Sequence, residues 1–234
     1  EILDGRVKTL HPKIHGGILA IRSNDKHQKQ IEVNKFELID LVVVNLYPFK
    51  KKVEEKCSWE EAIENIDIGG PSMIRSAAKN HSDVAVLVDP NQYEDYIEEI
   101  KKGPLNKEFK TKLAFEAFQH TASYDNAISN WMSKEKELIP STFVESFPLI
   151  KQLRYGENPH QKALWYGSNE IGWHSAEQLQ GKELSYNNLL DLESAFSTVI
   201  EFGYEEQLSL ERKSVAAIIL KHNNPCGAAI SSSA

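Results

Sequence analysis

The run LIDLVVVNLYPF (residues 38–49) decides the fold of this chain. It is apolar and rich in β-branched residues, and it stops abruptly at Tyr47-Pro48. A strand with one wet face alternates polar and apolar residues, whereas an unbroken apolar run marks a strand buried on both faces, as in a parallel sheet. Working outward, Glu60–Asn65 reads as a short helix, and Asp67-Ile68-Gly69-Gly70-Pro71 opens another, with Pro71 suited to the first helical position. The segment DVAVLV (83–88) reads as a second strand. Asp89-Pro90 then starts a helix that runs to Lys102. A long amphipathic helix is expected from about Asn106 to Lys134, burying Leu113, Phe115, Phe118, Tyr124, Ile128 and Trp131. Strands alternating with helices indicate an α/β domain with a mainly parallel sheet.

Residues 134–147 carry charge, prolines and small residues, and they read as a linker. The expected domains are residues 1–138 and 139–234. In the second, a helix is expected at Asn188–Phe202, a strand at Val215–Leu220 and a chain break at Asn223-Asn224-Pro225-Cys226-Gly227. One helix and one strand cannot bury a core alone, so this part looks unfinished. Cys57 and Cys226 are the only cysteines and lie far apart in the sequence, so no disulfide framework is implied. The formal net charge of −7 argues against nucleic-acid binding but leaves room for a small anionic substrate. The run Leu41–Leu46 is too short to cross a bilayer and no leader is seen, so a cytoplasmic protein without membrane attachment is expected.

Several polar, Gly-punctuated segments could carry chemistry. Asp4-Gly5-Arg6-Val7-Lys8-Thr9-Leu10-His11-Pro12-Lys13-Ile14-His15-Gly16-Gly17 gathers cations and histidines ahead of a Gly pair that permits close approach. Such a segment can surround a phosphate or carboxamide with donors, although a solvated basic loop has the same composition. Asn45 and Tyr47 end the first strand, where ligands sit in open α/β sheets. The Gly69-Gly70-Pro71 helix start offers backbone N–H groups to an anion, and Lys79-Asn80 closes the same helix. Arg154 could clamp a phosphate and Tyr155 could stack on a planar ring. Lys221-His222 pairs a cation with a base that titrates near neutrality. Pro225-Cys226 does not continue into a zinc motif: Ala229 stands where a second cysteine would, and the His-x-Glu partner is missing.

In this order and spacing the segments resemble the bifunctional AICAR transformylase/IMP cyclohydrolase family. The resemblance runs through Asp4–Pro12, Asn45–Phe49, Ile66–Gly70 and Ala77–His81. It continues through His120-Thr121-Ala122-Ser123-Tyr124-Asp125, Leu153–Gly156 with Asn158–Gln161, and Lys221-His222. It implies a methylglyoxal-synthase-like α/β domain followed by the start of a cytidine-deaminase-like α/β transformylase domain. It also implies that Lys8, Tyr47, Asp67 and Lys79 act in ring closure of FAICAR to IMP, beside Arg6, Asn45, Gly69, Gly70 and Asn80. In the other half it implies His222 as general base, Lys221 as its partner, and Arg154, Tyr155 and Asn188 as the residues that hold AICAR.

The co-substrate implied is 10-formyltetrahydrofolate, with no metal, no nucleic acid and no membrane, in a homodimer. The family's N-terminal strand and phosphate loop are expected ahead of Glu1 and most of the transformylase half after Ala234, so residues 1–234 alone are expected to lack transformylase activity. Two other readings use the same residues. A non-catalytic purine-nucleotide-binding module would keep the cations but not need His222 or Lys79, and a methylglyoxal-synthase-like enzyme would not need the second domain.

Overall fold

The structure is a computed structural model that describes residues 2–3, 5–167, 172–203 and 215–231 of the chain; Asp4, in the first of the segments above, lies outside them. The chain divides into two compact units, Glu1–Ser146 and Phe147–Ala234.

In the first unit, α1 (Pro12–Leu19) starts with Pro12 at its first position, and the ring nitrogen of His11 accepts the N–H of Lys13. The side chain of Asn24 caps α2 (Asp25–Asn34). Then come β1 (Leu41–Val43), α3 (Phe49–Glu54), α4 (Trp59–Glu64), α5 (Gly69–Lys79) and β2 (Ala85–Leu87). A 3-10 turn at Pro90–Gln92 leads into α6 (Tyr93–Lys101), and α7 (Lys107–Glu135) closes the unit. Ser58 and Glu61 form a reciprocal capping box that sets the start of α4.

β1 and β2 pair in parallel, with Leu41 opposite Ala85 and Val43 opposite Leu87. The alternation of β2 sorts its neighbours. Val84, Val86 and Val88 join Ile18 of α1, Ile74 of α5 and Ala117 of α7 in the main core. Ala85 and Leu87 face Leu113, with Tyr93, Tyr96 and Phe109 packed around them. β2 is thus the strand buried on both faces. β1 is shorter than the apolar run predicts and only Val42 on it is buried, because β2 is its one strand partner among the described residues.

The long helix matches its expected span, but Phe115 is 61% and Phe118 40% exposed. Its buried stripe is Leu113, Ala114, Ala117 and Thr121. At 100° per residue, Phe115 points well away from that stripe, while Phe118, four residues after Ala114, stands at its edge. Small residues face inward because α7 packs closely on β2 and α5.

In the second unit, β3 (Leu149–Gln152) pairs antiparallel with β4 (Leu164–Tyr166), and a 3-10 turn at Trp173–Ser175 precedes α8 (Tyr186–Gly203). β5 (Val215–Lys221) then pairs antiparallel with β6 (Asn224–Ser231). The expected break is therefore a hairpin. His222 and Asn223 form its two-residue loop at φ 53° and 59°, as a type I′ turn requires. Leu153, Gly156 and Ser185 are the buried residues among those described in this unit, so most of the buried core lies in the first unit. No helix among the described residues is long and apolar enough to cross a membrane.

Candidate functional site

The first site forms where three loops meet at the carboxyl end of β1 and the start of α5. Asp67 is the pivot. Its Oδ1 accepts the N–H of Gly70 at 2.8 Å, so the free donors expected at this helix start are partly taken by the chain's own carboxylate. Both glycines are needed for close approach. A Cβ on Gly70 would stand 2.6 Å from Asp67 Oδ2 and 2.7 Å from Leu46 Cδ2, and one on Gly69 would overlap Thr9 Oγ1. Thr9 and its neighbour Lys8, the Leu46-Tyr47 strand end and the Asp67–Gly70 turn therefore come together. Tyr47 is 48% exposed.

Tyr124 of α7 completes the cluster. Its hydroxyl accepts the N–H of Asp67 at 2.9 Å and donates to the carbonyl of Asn65 at 3.4 Å. Burial pushes its pKa up, the bond from the Asp67 N–H works the other way, and Asp67, Asp125 and Tyr47 add to the rise.

Other expected members are placed differently. Arg6 pairs with Glu64 at 2.8 Å in a largely exposed ion pair, and Asn45 donates to the Tyr93 hydroxyl at 3.0 Å. Asn80 is buried, and its amide donates to the carbonyls of Ile18 and Ala20 at 2.8 and 3.1 Å. Asn80 thus satisfies the carbonyls at the end of α1, where no intrahelical donor remains. Lys79 is not brought to Asp67. It ends α5, about 15 Å from the helix start, and lines a separate cleft with Arg75, His81, Phe115 and Phe118. The Gly16-Gly17 pair is also spent on packing, since a Cβ on Gly17 would overlap the carbonyl oxygen of Glu37.

The second unit holds its own cleft, of about 520 Å³, lined by Arg154, Lys182, Glu183, Asn188, Asp191 and Leu220 among others. The Arg154 N–H bonds the carbonyl of Leu184, and the Tyr186 N–H bonds that of Tyr155, which sets the Arg154-Tyr155 segment beside the start of α8. Asn188 Oδ1 accepts from both the N–H and the hydroxyl of Ser185, an N-terminal cap that leaves its amide nitrogen as the donor for a ligand. One face of Tyr155 is covered by the Arg154 guanidinium, 4.8 Å from the ring centre. Asp191, one turn along α8, accepts the N–H of Asn223 at 2.9 Å and so ties the Lys221-His222 turn to the helix that lines the cleft. Lys221 and His222 are exposed there.

Sequence reasoning assigned no site role to Tyr124 or Asp191. Tyr124 reads as one more apolar position of a helix stripe, and nothing local shows that its hydroxyl reaches a turn fifty-seven residues away. No group of three His, Cys, Asp or Glu side chains among the described residues is placed to hold a metal ion.

Two family models cover most of the chain: "AICARFT/IMPCHase bienzyme" matches residues 77–234, and "MGS-like domain" matches residues 1–72. The "Bifunctional purine biosynthesis protein PurH" of Prochlorococcus marinus (strain MIT 9515) is 82% identical over all 234 residues. The protein of that name from Prochlorococcus marinus subsp. pastoris (strain CCMP1986 / NIES-2087 / MED4) is 72% identical over the same residues. The chain spans 45% of the length of each of these relatives. Among solved structures, the crystal structure of ForH is 30% identical at a TM-score of 0.47, over 56% of this chain and 69% of that one.

Proposed function

The chain belongs to the AICARFT/IMPCHase bienzyme family, and from that premise we propose that the protein it represents catalyses the last two steps of purine nucleotide synthesis. A formyl group passes from 10-formyltetrahydrofolate to the 5-amino group of AICAR, and the product FAICAR then closes to IMP with loss of water. The observation that carries this reading is the identity of 82% along the full 234 residues, which spans both site regions.

The cyclohydrolase domain is proposed as residues 1–138 and the start of the transformylase domain as residues 139–234. In ring closure the carboxamide nitrogen, a poor nucleophile, attacks the formyl carbon. Holding the two groups in contact supplies much of the rate. Lys8 and the Tyr47 hydroxyl are proposed as donors to the tetrahedral oxyanion, with Asp67 and the Gly69-Gly70 backbone against the substrate. Arg6 and Asn45 are proposed to border the nucleotide. Lys79 and Asn80 enter this set on the family resemblance alone. In formyl transfer His222 is proposed to remove a proton from the 5-amino group while Lys221 stabilises the charge that develops on the formyl oxygen. Arg154, Tyr155 and Asn188 are proposed to hold AICAR. No step calls for a metal, and we place the protein in the cytoplasm as a homodimer.

The test uses the full-length protein, with the two half-reactions assayed separately. Lys8→Ala is expected to lower ring closure at least a hundredfold and leave formyl transfer near the native rate, and His222→Ala to do the reverse. Both activities surviving both substitutions would remove Lys8 and His222 from the chemistry, and a native protein that binds the nucleotide but turns over neither substrate would leave only a nucleotide-binding module.

A further inference from the structure

The hydroxyl of Tyr124 holds both ends of the Asn65–Asp67 segment, accepting from the Asp67 N–H at 2.9 Å and donating to the Asn65 carbonyl at 3.4 Å. That segment joins α4 to the Asp67–Gly70 turn, so the oxygen sets where the turn begins. The carboxylate of Asp67 is fixed from the other side by the N–H of Gly70. Tyr124 is itself held in place. Its ring meets the edge of Phe49, which is 2% exposed, with centres 6.4 Å apart. Phe49 in turn abuts Trp131 at 5.4 Å, and Trp131 stacks on Trp59 at 4.6 Å. An aromatic ladder between α7, α3 and α4 thus aims one phenol oxygen at one backbone amide. A phenol that only filled space would not need both of its hydrogen-bonding functions met by the same loop.

We propose that Tyr124 is a positioning residue for ring closure: its hydroxyl fixes the main chain at Asp67 and thereby the carboxylate and the glycine backbone that face the substrate. The inference rests on the assignment of Asp67 to the cyclohydrolase site. Displacing a positioned group by about an ångström costs on the order of a hundredfold in rate. Losing the hydroxyl should therefore lower kcat rather than raise KM.

The experiment compares Tyr124→Phe, Asp67→Asn and the double variant in the full-length protein, reading kcat and KM for ring closure, formyl transfer, and Tm. Tyr124→Phe keeps the ring against Phe49 and removes one oxygen. The expected result is a fall in ring-closure kcat of about ten- to a hundredfold, with KM changed less than threefold, formyl transfer unchanged and Tm within a few degrees. Adding Tyr124→Phe to Asp67→Asn should cost less than Tyr124→Phe costs alone, because part of what the hydroxyl positions is that carboxylate. A Tyr124→Phe rate within twofold of the native one, beside a collapsed Asp67→Asn, overturns the positioning role and leaves the site standing. Equal falls in both activities together with a lowered Tm also overturn it, since they report a purely structural tyrosine. Full ring closure by Asp67→Asn overturns the site assignment beneath it.

Discussion

At the scale of single residues, the glycines and the buried polar groups divide the labour most sharply. Gly17 lets the Glu37 carbonyl lie directly on α1, and its own carbonyl accepts the N–H of Ile39 at 3.2 Å. Gly17→Ala forces backbone against a methyl group with no flexible side chain to yield, so a loss of about 3 kcal/mol is expected in urea denaturation. His120 makes a second test. Burial pulls its pKa below 6.5, with Asp89 opposing, and its Nε2 is buried without a partner. The unfolded chain therefore binds a proton that the folded chain resists, and stability drops as pH falls through 6.5 toward the lower folded value. His120→Gln is expected to flatten the fall in Tm between about pH 7 and pH 5. Sequence marks such residues unevenly. The Gly69-Gly70 turn, Asp67 and Tyr47 were legible because punctuation at strand and helix ends is local. The structural bonds of Asn80 were not legible, because its partners, the carbonyls that end α1, lie some sixty residues upstream.

At the scale of elements, periodicity gave α7 and β2 almost in full but not the side each would bury. The stripe Leu113, Ala117, Thr121 is small because two elements crowd it, and crowding is a tertiary fact. The hairpin at residues 215–231 was missed for a different reason. His222-Asn223 is an unusual type I′ pair, which favours Asn-Gly, and Pro225 looks like a strand breaker. Yet Pro225 pairs with Leu220 where the register shifts, a place at which proline is tolerated. Replacing His222-Asn223 by Asn-Gly should keep or strengthen this turn while removing the imidazole. Unchanged circular dichroism with formyl transfer reduced at least a hundredfold is the expected outcome in the full-length protein. Formyl transfer near the native rate would remove His222 from the mechanism.

At the scale of the molecule, burial is concentrated. Nearly all the buried residues among those described lie between Gly17 and Thr121, and residues 137–149 are exposed throughout. Hydrogen exchange on the 234-residue chain should therefore find its slowest amides in α5, β2 and α7. The β5–β6 hairpin, all of β6 exposed, should exchange orders of magnitude faster despite its ladder bonds. Comparable protection in both units would contradict this distribution. The sequence reading parts the chain at residues 138/139 and the two compact units part at Ser146/Phe147, within or beside the same polar, proline-bearing stretch, which has little to bury. The helix mouth occupied by Asp67 has a wider consequence. A carboxylate tethered three residues from the amide it holds competes at a high local concentration with any arriving anion. Free sulfate or inorganic phosphate meets a rival already seated on the Gly70 amide. The turn therefore offers a small free anion one backbone donor fewer than an uncapped helix start would.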